Sequence, residues 1–289
     1  MRLFTLKLLF VIVSISAAAQ PATDIFVFDL DIKEDKITIR NPKNITARPG
    51  YDNQPFFHPE KPLLYFVSAD GEARTDIFAY DLKSGQTKKI ADTHDKEYSP
   101  TVTPDKQFLS CILQTDSGAQ DLIKYPIDGG SPTPLIQNKI VGYHTWANSK
   151  QVAVFTLPQP FKLEVVNIES GESITVAEGV GRSIHKIPGK EGISFTKKIS
   201  ETEVDIRMLD LVSMSTVTLT KSPDGKEHDM AWVEKKIFMS VDKGLFYIDP
   251  RKNTEWKPII IESNVPITTI TRLAASPDGK KIAIVMSEQ

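Results

Sequence analysis

The sequence predicts an all-β chain folded as a six-bladed β-propeller, with four antiparallel strands in each blade. Short runs rich in Val, Ile, Phe and Tyr alternate with clusters of Gly, Pro, Asp and Ser, and long helical periods are missing. These runs recur with a period of about 40 to 45 residues, which is the length of a propeller blade. The two ends of the sequence also carry complementary halves of one repeat.

Residues 1–19 have the pattern of a secretory signal peptide. Two basic residues precede an apolar run over residues 8–15, and three alanines end at Ala19, where a signal peptidase would cut. The apolar run is too short for a bilayer-spanning helix, which disfavours the alternative of an uncleaved membrane anchor. We therefore expect residues 20–289 to form a single propeller domain in the periplasm or outside the cell.

Charge and cysteine content exclude several classes of protein. The chain has 35 Lys and Arg against 37 Asp and Glu, and its basic residues are scattered, so we expect no nucleic-acid partner and no membrane insertion after signal cleavage. Cys111 is the only cysteine and lies in an apolar run, which predicts a buried, inert thiol and no disulfide within the chain. We expect a monomer without a cofactor.

The third strand of each repeat ends in a polar or turn residue. Five of these residues are spaced 45, 41, 43 and 39 positions apart: Asp81, Pro126, Asn167, Asp210 and Asp249. A short Asp or Asn side chain can accept hydrogen bonds from backbone amides two residues further on, which starts a turn.

A second series of segments precedes a more apolar strand in each repeat. The six apolar strands are predicted over Leu63–Ser68, Phe108–Leu113, Val152–Thr156, Ile193–Thr196, Ile237–Ser240 and Ile282–Ser287. Each repeat is therefore a first strand, a turn of the Pro-Asp-Gly type, the apolar second strand, the third strand and a weaker fourth strand such as Thr216–Leu219.

The chain ends predict how the ring closes. The sequence stops after the two inner strands of a blade and begins with a third and a fourth strand, over Asp24–Asp29 and Lys36–Arg40. We expect Asp24–Asp29 to pair with Ile282–Met286, so that five complete blades and one shared blade form a ring without free sheet edges.

Two stretches resemble the TolB-like propeller repeats, which are related to WD repeats: Ser276-Pro277-Asp278-Gly279 with the strand after it, and Leu64 to Ile90. The blades that begin near Tyr143 and Ser183 lack the Ser-Pro-Asp-Gly turn. The resemblance implies a secreted binding scaffold, because the namesake of the family is periplasmic and binds other envelope proteins. The namesake also has an α/β domain ahead of its propeller, and we expect no counterpart of that domain in this chain.

The candidate site is the ring of segments that lead from each outer strand into the next inner strand, because these segments meet at one end of the central channel. No nucleophile elbow, phosphate loop or zinc-protease motif is present, and we assign no catalytic residue. The predicted ligand-binding residues are Asn53, Glu97, Tyr98, Tyr143, His144, Arg182, His185, His228, Asp229 and Arg272.

Two functions of different classes are compatible with these residues. The first is a non-catalytic scaffold that binds a protein, peptide or glycan at the channel mouth or on an end face. The second is a metal-assisted lyase or lactonase, since some TolB-like propellers are lyases of acidic oligosaccharides with channel histidines on a metal, and other six-bladed propellers are calcium-dependent lactonases. His144, His185 and His228 are not at equivalent positions of the repeat, so we assign no metal site.

Overall fold

A computed structural model describes residues 20–33, 36–69, 74–90, 93–252 and 255–288. The predicted signal peptide, residues 1–19, lies outside the described residues. The described ranges consist of strands, turns and irregular connections and contain no helix. None of these ranges therefore includes a helix of the length and apolarity that crossing a membrane requires.

The strands are numbered along the chain. The first two are β1 (Thr23–Lys33) and β2 (Lys36–Asn44). Blade 1 is β3 (Asp52–Phe57), β4 (Leu63–Ala69), β5 (Thr75–Asp81) and β6 (Thr87–Lys89). Blade 2 is β7 (Lys96–Val102), β8 (Phe108–Gln114), β9 (Gln120–Pro126) and β10 (Thr133–Ile136). Blade 3 is β11 (Ile140–Trp146), β12 (Gln151–Leu157), β13 (Lys162–Asn167) and β14 (Ser173–Glu178).

The second half of the ring follows the same plan. Blade 4 is β15 (Val180–Lys186), β16 (Gly192–Ser200), β17 (Glu203–Asp210) and β18 (Thr216–Lys221). Blade 5 is β19 (Met230–Val233), β20 (Lys236–Val241), β21 (Gly244–Ile248) and β22 (Lys257–Pro258). The last strands are β23 (Ile260–Ile261), β24 (Ile270–Ala275) and β25 (Lys281–Ser287).

The six-bladed propeller is confirmed. Blades 1 to 5 are antiparallel sheets of four strands in chain order, and the sixth blade combines both ends of the chain. The first strand of each blade contacts the first strand of the next blade all the way round the ring. These first strands therefore surround the central channel.

Burial follows the position of a strand within its blade. The second strands are apolar and buried on both faces, as in β12, because a neighbouring blade covers each face of the sheet. The outermost strands are polar and largely exposed, as in β14. These strands lie at the rim of the propeller, where their side chains contact solvent.

The turns that follow the third strands have the predicted chemistry. Oδ1 of Asp81 accepts hydrogen bonds from the amides of Lys83 (2.8 Å) and Ser84 (2.9 Å). Asn167 and Asp210 accept bonds from the amides two and three residues further on in the same way. A side chain thus fixes the direction of the chain as it enters the outer strand.

The predicted seam between the two chain ends is also confirmed. β1 pairs with β25 in continuous antiparallel register from Thr23↔Ser287 to Asp29↔Lys281. At its far end, Nζ of Lys281 lies 2.5 Å from Oδ1 of Asp29. The side chains of β1 alternate between two cores: Ile25 and Val27 pack with residues of blade 1, whereas Phe28 and Leu30 pack with residues of blade 5. The N-terminal strand therefore joins three blades.

The closing blade has a fifth strand that the sequence did not predict. β23 lies outside β2 and pairs with it in parallel, through Thr38↔Ile260 and Ile39↔Ile261. The outer strand of blade 5, β22, is only two residues long and ends at Pro258, so the chain leaves that blade early and crosses to the edge of the next one. A strand of two residues has too little pattern to be recognised from sequence.

We expect Phe28→Ala to destabilise the whole ring, because Phe28 is fully buried at the seam. Truncation of a large buried aromatic residue costs about 3–5 kcal/mol of unfolding free energy. Urea unfolding of the mature chain, followed by tryptophan fluorescence, measures the loss. Val212→Ala is the control because Val212 is 82% exposed. Equal stabilities of the two variants would show that the seam does not hold the ring together.

Candidate ligand-binding site at the channel mouth

The inner strands are irregular where they reach the channel mouth. Five of the six have a β-bulge or register shift near this end, and β19 is regular. The shifts lie between Asn53 and Phe56, Tyr98 and Thr101, Val141 and Tyr143, Val180 and Ile184, and Ile270 and Arg272. Bulges re-aim side chains and interrupt the ladder of backbone hydrogen bonds. The mouth is therefore the part of the ring where side-chain direction departs from strict alternation.

Two bulges are held together by a contact that sequence reasoning missed. Gln54 and Ser99 both have φ of +54°, a left-handed conformation that is uncommon for residues with a side chain. Oε1 of Gln54 accepts a 2.6 Å hydrogen bond from the backbone amide of Ser99. A side chain in the bulge of blade 1 thus provides the acceptor for a backbone donor in the bulge of blade 2. The only sequence signal is that both residues precede a proline, Pro55 and Pro100.

Arg272 is the central side chain of the mouth. It starts in the closing blade, and its Nε donates a 3.0 Å hydrogen bond to Oδ1 of Asn53 in blade 1. Its guanidinium also lies 5.2 Å from the ring centroid of Tyr143 in blade 3 and 3.4 Å from that hydroxyl. The nearest carboxylate oxygen is Oδ1 of Asp229 in blade 5, at 3.8 Å. Arg272 therefore connects four blades across the channel.

Three cavities adjoin at this point, and Arg182 and Arg272 line all three. A small one of about 110 Å³ lies within the channel and is also lined by His144, His185 and Asp229. The second, of about 470 Å³, includes Glu227 and His228 in its wall. The third, of about 480 Å³, is lined among others by Tyr51, Asn53, Gln54, Tyr98, Gln114, Gln120, Tyr143 and Phe161. Nine of the ten predicted site residues thus line one or more of these cavities.

Glu97 is the exception, because the structure does not bring it to the mouth. Along β7, Tyr98 faces the mouth while Glu97 points into the interface between blades 1 and 2, where it is fully buried. Its Oε1 accepts hydrogen bonds from Thr93 Oγ1 and, at 3.2 Å, from the hydroxyl of Tyr125. Burial, with a smaller contribution from the charge of Asp76, raises the pKa of Glu97 to about 7.

The three histidines have separate partners. Nε2 of His144 lies 2.8 Å from Oγ of Ser110 in the neighbouring blade, and Nε2 of His185 lies 2.9 Å from Oγ of Ser183. Nε2 of His228 lies 2.8 Å from Oδ1 of Asp224 in the turn before β19. Within the described ranges, no three His, Cys, Asp or Glu side chains are grouped in a way that could hold a metal ion.

The hydrogen-bond partners of Ser110 define the tautomer of His144. The hydroxyl of Ser110 donates its single proton to the carbonyl of Thr101 (2.9 Å) and accepts a bond from Nε1 of Trp146 (2.9 Å). The imidazole must therefore donate from Nε2 to Ser110, which leaves Nδ1 as a buried acceptor without a partner. Burial lowers the pKa of His144 to about 3, so it is neutral at physiological pH.

The same serine–tryptophan contact recurs between blades 4 and 5. Nε1 of Trp232 donates a 2.8 Å bond to Oγ of Ser194, which in turn donates to the carbonyl of His185. Trp146 and Trp232 are thus packing residues that connect neighbouring blades.

Comparisons with known proteins support the fold. No protein-family model matches the chain, and no curated protein matches it. A structure of a protein from Agrobacterium tumefaciens assigned to TolB is 16% identical, with a TM-score of 0.69, over 93% of this chain and 99% of that one. TolB from Acinetobacter baumannii is 12% identical, with a TM-score of 0.58, over 93% of this chain and 64% of that one.

An oligogalacturonate lyase in complex with manganese is similar too, at 13% identity and a TM-score of 0.60, over 88% of this chain and 83% of the other. At these identities the likeness concerns the fold. The chain therefore has the six-bladed propeller fold that the TolB structures share, as the turn and strand motifs indicate.

The raised pKa of Glu97 predicts a pH-dependent stability. Between the ordinary pKa of a glutamate, near 4.5, and about 7, the folded state holds a proton that the unfolded state has lost. The free energy of unfolding should therefore fall as pH rises through this window, by up to about 3 kcal/mol. Glu97→Gln should remove this contribution and be more stable than the wild type at pH 8, in urea unfolding at pH 5 and pH 8.

Glu164→Gln is a matched control, for which we expect the opposite change in stability. Burial raises the pKa of Glu164, but the hydrogen bond and charge of Lys139 outweigh it and hold that pKa below its usual value. This substitution should therefore lower stability at pH 8. If Glu97→Gln behaved in the same way, the folded protein would hold Glu97 ionised.

Two serines provide a second matched pair. Ser110→Ala removes the acceptor of two buried donors, on His144 and Trp146, whereas Ser194→Ala removes that of Trp232 alone. Each buried donor left without a partner costs about 1–3 kcal/mol. We expect Ser110→Ala to lower the free energy of unfolding at least about twice as much as Ser194→Ala, because Trp232 is only partly buried. Equal losses would contradict the assignment of Nε2 of His144 as a donor.

Proposed function

We propose that this chain is a non-catalytic binding protein of the periplasm or the extracellular space, and that it binds a protein, peptide or glycan at the channel mouth. The main observation is the shared cavity around Arg182 and Arg272. At about 480 Å³ its third compartment is within the range of ligand sites, and aromatic, amide and guanidinium groups from several blades converge on it. The location rests on the predicted signal peptide.

The residues around the mouth favour binding over catalysis. Ser183 and His185 form a hydroxyl–imidazole pair, but the serine is 3% exposed and its hydroxyl also accepts the amide of Met230. The nearby carboxylate of Asp229 is engaged by the amide of Leu273 (2.8 Å) and lies near Arg272. A nucleophile needs a base that a third group orients, and Asp229 is held by other partners instead.

The alternative is a metal-assisted lyase or lactonase at the same mouth. Its support is the likeness in fold to an oligogalacturonate lyase in complex with manganese. Against it, each of the three candidate histidines is bonded to a different serine or aspartate. The binding function is therefore better supported by the geometry of the mouth.

A variant that fills the mouth tests the binding function. Gln114 lines the largest compartment, so Gln114→Trp should reduce ligand binding at least about tenfold, because the larger side chain occupies the ligand's space. The mature chain would be screened against a random hexapeptide library and a glycan array, and the hits measured by calorimetry. Thr87→Trp is the control, since Thr87 is an exposed residue of an outer strand.

Two outcomes would contradict the proposal. Hits with the same affinity for wild type and Gln114→Trp would place binding away from the mouth. Cleavage of galacturonate oligomers after addition of Mn²⁺, lost on replacing His144, His185 and His228 by Ala, would favour the enzyme instead.

A further inference from the structure

We infer that Arg182 and Arg272 together bind a carboxylate of the ligand and that the ligand is a peptide. This inference rests on the proposed function and specifies the chemistry of the same site. The two arginines come from blade 4 and the closing blade, and both residues line all three compartments of the mouth. A group that enters the mouth between them can therefore contact both.

Arg182 is available to a ligand. Its side chain is exposed, and its guanidinium has no hydrogen-bond or ion-pair partner among the residues that the structure describes. Its backbone is fixed, since Oε1 of Glu227 accepts a 2.8 Å hydrogen bond from the Arg182 amide. The Glu227 carboxylate packs over Gly181, where an added Cβ would lie only 2.5 Å from it. Glu227 thus fixes the backbone at Arg182, while the donors of the exposed side chain remain free for a ligand.

Arg272 has a charge that is only partly balanced. Its closest carboxylate oxygen is 3.8 Å away, beyond hydrogen-bond distance, and its two hydrogen bonds go to the neutral groups of Asn53 and Tyr143. A guanidinium has five N–H donors in a planar fork. Donors therefore remain for a ligand carboxylate, which forms strong paired hydrogen bonds with such a fork.

The charges around the mouth favour a monoanion. The compartment of about 480 Å³ is lined by Arg182 and Arg272 and by no Asp or Glu, whereas Glu227 and Asp229 line the adjoining one. The two arginines are therefore matched by two carboxylates across the whole mouth, but they outnumber the carboxylates by one in the small compartment and by two in the compartment of about 480 Å³. One carboxylate suits this arrangement better than the double charge of a phosphate monoester.

The remaining wall favours a peptide over an acidic glycan. Sugars bind well to the open face of an aromatic ring, but the ring of Tyr143 has Arg272 over one face and the ring of Phe155 packed against it at 5.8 Å. The apolar side chains of Leu157 and Phe161 in the same compartment suit an apolar side chain next to the carboxylate. The amides of Gln114 and Gln120 suit peptide groups.

The test compares hexapeptide libraries with a free C-terminal carboxylate, or with Asp and Glu, against libraries in which these groups are amides. Bound peptides should carry a carboxylate, and its conversion to an amide should weaken binding about 10- to 100-fold in calorimetry, because charge-assisted hydrogen bonds are lost. Arg182→Gln should cause a similar loss. Arg40→Gln, on the outer part of the closing blade, is the matched control and should leave the affinity unchanged.

Arg182→Gln keeps the test valid even if Arg272→Gln fails to fold, because Arg182 is exposed. Equal affinity for the acid and amide peptides, or no effect of Arg182→Gln, would overturn the inference. If Gln114→Trp abolished binding and Arg182→Gln did not change it, the inference would be overturned, but the proposed function would stand. Binding of oligogalacturonate, but of no peptide, in a manner dependent on Arg182 would overturn the assignment of a peptide.

Discussion

The antiparallel pairing of β1 with β25 is the contact on which the ring depends. Without it the closing blade would keep only β24 and β25, and the second strand β25 would expose an unpaired edge. One face of β1 packs on blade 1 and the other on blade 5, so the same strand also fills two interfaces between blades. Secondary structure, core packing and the order of the blades thus depend on residues at opposite ends of the chain.

The arrangement of the channel mouth also depends on closure of the ring. Arg272 belongs to the closing blade, yet its partners Asn53, Tyr143 and Asp229 belong to three other blades. No single blade contains the site, because all six blades contribute side chains to its three compartments. The contacts between blades are only partly repetitive. The serine–tryptophan bond occurs at two interfaces, whereas a hydrogen bond between Tyr125 and Glu97 lies at another.

Sequence reasoning predicted the fold because the signals of a propeller are local. Asp81 and Asp210 start turns through their own side chains, and the apolar second strands are recognisable one by one. The site was harder to predict. Glu97 and Tyr98 are neighbours, but alternation along β7 sends one between blades and the other to the mouth. Bulges then change the alternation, so the roles of Gln54 and Ser99 depend on packing between blades.

The incomplete balance of charge around Arg272 affects the free energy of folding. Removing a guanidinium from water is costly unless an anion compensates it, and Asp229 at 3.8 Å compensates Arg272 only in part. An apolar side chain of similar size would remove that cost to folding. The neutral histidines beside it add no charge of their own, since burial lowers the pKa of both His144 and His185. The proposed carboxylate ligand would recover this cost, because part of the desolvation of Arg272 has already taken place during folding and its guanidinium is held by Asn53 and Tyr143.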